Sequence, residues 1–132
     1  MQLFRNDPPS SHDPIIGEDA RGFLVALNAH GVPLTGQGRA VEPDELLDAF
    51  EAACAAIWGR GWKASFETIT GVSRAGKWRR EGSYPPPRLV KWVAWLMSFD
   101  DPAKIGAGML SMKTGGHDLP ADQIRGAIAE AG

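Results

Sequence analysis

Eight basic side chains crowd the stretch from Arg60 to Trp92: Arg60, Lys63, Arg74, Lys77, Arg79, Arg80, Arg88 and Lys91. Only Glu67 and Glu81 oppose them, so the segment carries +6 while the whole chain carries −2, and the remainder must carry −8. The chemistry open to such a cluster is electrostatic, because ammonium and guanidinium groups at this density attract polyanions whatever the overall charge. The same residues spell a second chemistry. Gly71 to Lys77, GVSRAGK, has the spacing of a phosphate-cradling loop, and the FETIT before it holds residue types that favour a strand. Against that reading, Trp78 stands where a metal-binding hydroxyl is required, and helical patterns dominate both flanks.

Other reactive residue types lack the spacing their chemistry demands. His12, His30 and His117 lie far apart with no ligand partner at metal-binding spacing, so no metal site is expected. Ser111, His117 and Asp118 have no nucleophile elbow to order them. Asp100 and Asp101 precede Pro102 and suit a helix N-terminus better than paired acid-base work. Cys54 is the single cysteine, on what should be an apolar helix face, where a buried small hydrophobe is the ordinary role. No catalytic residue, cofactor or enzymatic activity is expected.

The elements that must position the basic cluster read as helices. Pro43 opens a run with Asp44 and Glu45 in its first turn and Leu46, Phe50, Ala53, Cys54 and Ile57 on one face, ended by Gly59 and Gly61. Lys63 to Thr70 predicts a shorter helix with Phe66 inward, and Gly71 supplies the left-handed residue for a tight turn. Val72 plugs the angle, Ser73 caps a third helix over 74–81 with Ala75 and Trp78 on one face, and Gly82 stops it. After Pro85 and Pro86, Pro87 opens a fourth helix carrying Leu89, Trp92, Val93 and Leu96. Packing is the default for the tryptophans. Trp62, beside Arg60 and Lys63, has base stacking as its alternative.

The flanks carry less signal. Residues 1–16 are rich in Pro, Ser and Asp and predict a flexible N-terminal arm. Phe23, Leu24, Leu27 and His30 fall at helical spacing in EDARGFLVALNAH, which predicts a helix over 18–30 stopped by Gly31, with a loop over 31–41. Ile105, Met109 and Met112 share a face of a Gly-weakened helix over 102–112. A linker from Lys113 and a short helix bearing Ile124, Ala127 and Ile128 complete the chain at 113–132. That tail either packs back on the domain or pairs with a second subunit, which leaves a homodimer open.

WKASFETITGVSRAGKWRREGSYPPPRLVKWVAWL resembles the helix-turn-helix of lambda-repressor-like, Cro and XRE type, transcriptional regulators, over about residues 42–98. The resemblance implies that Lys63 meets the DNA backbone, that Ser73, Arg74 and Lys77 face the major groove, and that Arg79, Arg80 and Arg88 lie near phosphates, with Lys91 beyond the proline connection. Two positions depart from the family pattern. Glu67 stands where a small residue is usual, and Lys77 where an apolar core residue is usual, with Trp78 one place later.

With 132 residues, 43% of them apolar, the chain can bury one core. The expectation is an all-α small helical bundle, residues 17–112, with a helix-turn-helix at about 63–82. Its partner would be double-stranded DNA, bound with sequence specificity by a transcriptional regulator. The competing class is a non-enzymatic helical adaptor or mobile-element accessory protein whose basic face binds an acidic protein. No apolar run reaches the roughly 20 residues that span a bilayer, MQLFRNDPPSSHDP lacks a signal-peptide core, and one cysteine suits a reducing compartment, so a soluble cytoplasmic protein without membrane contact is expected.

Overall fold

Three five-residue stretches, Asp19–Phe23, Asn28–Val32 and Thr35–Arg39, share one turn chemistry and decide the first third of the chain. In each, the first residue's side-chain oxygen accepts the fifth residue's N–H: Asp19 from Phe23 at 2.9 Å, Asn28 from Val32 at 2.9 Å, Thr35 from Arg39 at 3.1 Å. The fourth residue is a glycine at φ 84°, 78° and 81°, the left-handed value a three-residue hairpin loop needs, and its N–H returns to the first residue's carbonyl. Each stretch therefore reverses the chain.

The computed structural model describes residues 1–4, 13–72 and 76–114. The first reversal joins β2 (Ile15–Glu18) to β3 (Leu24–Leu27), the second joins β3 to β4 (Pro33–Thr35), and the third brings Ala40 back against Leu34; with β1 (Gln2–Leu3) paired to β2, the strands make an antiparallel sheet in the order β1-β2-β3-β4. Gln2 pairs with Glu18, Glu18 with Leu24 and Val25 with Thr35, and the β2–β3 register shifts between Ile15 and Gly17. The all-α expectation is thus overturned: the protein combines a four-stranded sheet with helices. Residues 18–30 form the end of β2, a turn, β3 and the start of the next turn in place of a helix, and Gly31 is a turn residue in place of a helix stop. Burial follows the two-residue strand period, with Val25 and Leu27 inside and Leu24 49% exposed. Gln2 and Leu3, expected in the flexible arm, form an edge strand, and Leu3 is buried in the core.

The helices follow as α1 (Pro43–Trp58), α2 (Trp62–Thr70), α3 (Lys77–Glu81), α4 (Pro87–Leu96) and α5 (Pro102–Thr114). Each of α1, α4 and α5 starts at a proline, and Asp101 Oδ1 accepts the Lys104 N–H at 3.2 Å to cap α5. The helix expected over 120–132 lies outside the described residues. Phe50 of α1 is the hub of the core, meeting Trp62, Phe66 and Trp78 edge to face with ring centroids 6.4, 5.9 and 5.8 Å away. Such contacts add about 0.5–1.5 kcal/mol each beyond simple burial. Trp58, Phe66 and Trp92 continue the cluster, with α5 against α1 and α2, and the sheet resting on α1 and α4. Trp62 is buried in this cluster, which removes it as a base-stacking platform.

Candidate nucleic-acid interface

Lys63, Lys77, Arg79 and Arg80 are presented by two short helices, α2 and α3, that are seated by aromatic anchors. Trp62, Phe66 and Ile69 bury one face of α2. Its last turn closes when the Thr70 hydroxyl donates to the Phe66 carbonyl at 2.7 Å and accepts the Val72 N–H at 3.1 Å. Gly71, at φ 75° and ψ 3°, donates its N–H to the Glu67 carbonyl at 2.8 Å and turns the chain. Ser73 and Arg74 lie outside the described residues. Trp78 is the buried residue of α3, and Gly82 stops that helix at φ 64° while the Ser83 N–H reaches the Trp78 carbonyl at 2.9 Å.

With Trp78 inward, successive 100° steps place Lys77 on one flank of α3, Arg79 on the other and Arg80 outward. Lys77 and Arg80 are exposed. Lys63 joins them from α2: its Nζ stands 5.8 Å from the Trp62 ring centroid and 3.9 Å from where a Cβ on Gly76 would be, so its ammonium sits beside the start of α3. The register question raised by Lys77 and Trp78 resolves in favour of Trp78 as the core residue. Glu67 is exposed on α2 and does not enter a helix contact that would demand a small side chain. Arg88 is exposed in the first turn of α4 and Lys91 is half-buried a turn later.

Arg79 goes elsewhere. Its guanidinium lies 2.8 Å from Asp48, 3.3 Å from Glu51 and 3.7 Å from Asp44, all on α1. The hydrogen bond to Asp48 raises its pKa, with burial working against the charge and the Glu51 and Asp48 carboxylates adding to the rise. Sequence reasoning missed this anchor, although acids at 44, 48 and 51 follow the i, i+4, i+7 spacing of a single helix stripe. A second ionic link ties the sheet to the same helix, Arg39 reaching Asp19 at 3.3 Å and Glu45 at 3.7 Å.

The phosphate-loop reading fails on its flank, because Phe66 to Thr70 lie inside α2 and the strand such a loop must follow is not there. Among the described residues no group of three or more His, Cys, Asp or Glu could hold a metal ion, and no helix is long and apolar enough to cross a membrane. His30 is exposed on the β3–β4 turn, while His12 and His117 lie outside the described residues. Cys54 is fully buried, and burial, with Glu51 nearby, pushes its thiol far up from the ordinary range. A groove of about 330 Å³ between α1, α2 and α5 is lined by small and apolar residues such as Ala55, Ala56, Trp58 and Ala103, with no charged side chain for acid-base work.

Scans against protein-family models, curated proteins and solved structures returned no match.

Proposed function

We propose that the protein binds double-stranded DNA with sequence specificity, as a cytoplasmic transcriptional regulator built on a helix-turn-helix. The observation that carries this reading is the gathering of Lys63, Lys77 and Arg80 around a short helix whose only buried side chain is Trp78. The order of α2, a left-handed glycine, α3, a proline connection and α4 supports it further. On this reading Lys63, Arg80, Arg88 and Lys91 grip phosphates, while Ser73, Arg74 and Lys77 approach base edges in the major groove.

The test is selection of bound fragments from a random DNA pool, followed by a salt titration on the selected site. With about four to six phosphate contacts per subunit, log K should fall against log salt with a slope of roughly −4 to −5. Selected fragments related by two-fold symmetry would show that a homodimer binds. A flat titration, or a selection that enriches nothing, would remove the DNA reading and favour an adaptor whose basic face binds an acidic protein.

A further inference from the structure

We propose that Arg79 is a positioning residue, held by the carboxylates of α1 so that it fixes the rotation of α3, and that it does not touch the nucleic acid. The proposal rests on the DNA reading for its consequence, though not for its geometry. A five-residue helix with one core anchor can roll about that anchor. Trp78, seated edge to face on Phe50, sets the depth of α3 and which side faces the core, and a second attachment is what resists rolling about that seat. Arg79 is the next residue along, on the flank facing α1, and meets Asp48, Glu51 and Asp44 at 2.8, 3.3 and 3.7 Å. A planar guanidinium shared by three acids on one stripe has a defined orientation, which a single exposed pair would not impose.

Charge argues the same way. One guanidinium against three carboxylates leaves this flank at −2, so a phosphate approaching Arg79 would also meet two uncompensated negative charges. At roughly a Debye length, after screening, each opposes the approach by about 1.3-fold, and more at closer range. The side bearing Lys63, Lys77 and Arg80 sets three cations against Glu67 and Glu81 and so stays net positive where the Arg79 flank is net negative. DNA is therefore steered onto that side of α3, and α1's acidic stripe forms the edge of the footprint. The carboxylates of Asp44 and Asp48 are 77% and 74% exposed, so the ion pairs add little to stability and their effect falls on orientation.

The experiment compares Arg79→Met, which keeps the stem and removes the charge, with Asp48→Asn combined with Glu51→Gln. On the selected site, both should lower affinity about twofold to fivefold while binding to random DNA falls little or, for the acid variant, rises. The salt slope of Arg79→Met should stay at the wild-type value, and Arg79→Glu combined with Asp48→Arg should restore site preference. A slope reduced by about one unit, with specific and random affinity falling alike, is the signature of a lost phosphate contact and would overturn the proposal. Should the wild-type protein bind no DNA, the clamp is read from amide hydrogen exchange over residues 78–82. Faster exchange in both variants supports it, and unchanged exchange in either overturns it.

Discussion

Gly76, just before α3, and Gly106, inside α5, should move stability in opposite directions when each is replaced by alanine. Gly76 has φ −63° and ψ −16°, a right-handed conformation any residue adopts, and the nearest atom to an added Cβ is Lys63 Nζ at 3.9 Å, an ordinary contact. Gly76→Ala thus restricts the unfolded chain without straining the folded one, a gain of about 0.4–1 kcal/mol. Gly106 sits where α5 presses on α1. A Cβ there would overlap Ile57 Cγ2, stand 2.5 Å from the Ile57 carbonyl oxygen and 3.0 Å from Trp58 Nε1. The oxygen belongs to the backbone, so the helices must separate. Overpacking costs about 1–3 kcal/mol, and loss of the 3.2 Å hydrogen bond from Trp58 Nε1 to the Gly106 carbonyl costs about 1 more. The helix-propensity gain of about 1 kcal/mol returns part of this. Gly106→Ala should therefore lose about 1–3 kcal/mol. Urea and thermal unfolding give the readout, at about 3–5 °C per kcal/mol for a chain of this length. A melting temperature raised by Gly106→Ala would refute the close α1–α5 crossing, and one lowered by Gly76→Ala would refute the backbone assigned to the start of α3.

Three further outcomes are expected. Cys54, fully buried with its thiol held protonated by burial, should resist alkylation in the native protein and react only on unfolding; native labelling at a free-thiol rate would place it outside the core. Burial pushes the Asp19 carboxyl up, but the N–H groups of Phe23 and Arg21 and the Arg39 guanidinium outweigh it and hold it below its ordinary 3.8. A depressed folded value means the stabilisation is complete above the ordinary value and lost as pH falls through the folded one, so Asp19→Asn should flatten the loss of urea resistance between about pH 5 and pH 2. An unchanged acid profile would disconnect this carboxylate from stability. The Tyr84 hydroxyl donates to the Val41 carbonyl at 2.6 Å, joining the proline connection to the start of α1. Tyr84→Phe should cost about 1 kcal/mol in chemical denaturation, and a neutral result would show the bond is not made in solution.

The helices were legible because their punctuation and their period agree. Pro43, Pro87 and Pro102 mark the starts of α1, α4 and α5, Gly59, Gly71 and Gly82 follow the ends of α1, α2 and α3, and Leu46, Phe50, Ala53, Cys54 and Ile57 repeat over enough turns to fix a face. The sheet was not, because its strands are two to four residues long and no period establishes itself over so few positions. Phe23, Leu24 and Leu27 fell at helical spacing by coincidence. The signal was in the turns. Asp19 and Gly22, Asn28 and Gly31, Thr35 and Gly38 repeat an oxygen-bearing side chain three residues before a glycine, and three repetitions so close together leave no room for a helix.

At the candidate interface, charge composition located the patch but not the duties of its members. Trp78 is buried edge to face against Phe50 of α1, and once its side is set the helical step gives the order of Lys77, Arg79 and Arg80 around α3. The partners of Arg79 lie 28, 31 and 35 positions earlier in the chain, beyond anything local periodicity reports. A count of +6 is accordingly an upper bound on the charge available to a polyanion, since a cation already held by three carboxylates displaces fewer counterions than an open one. The acidic stripe that lowers that number also gives the patch an edge, and an edge is what turns attraction for any polyanion into a preferred orientation on one.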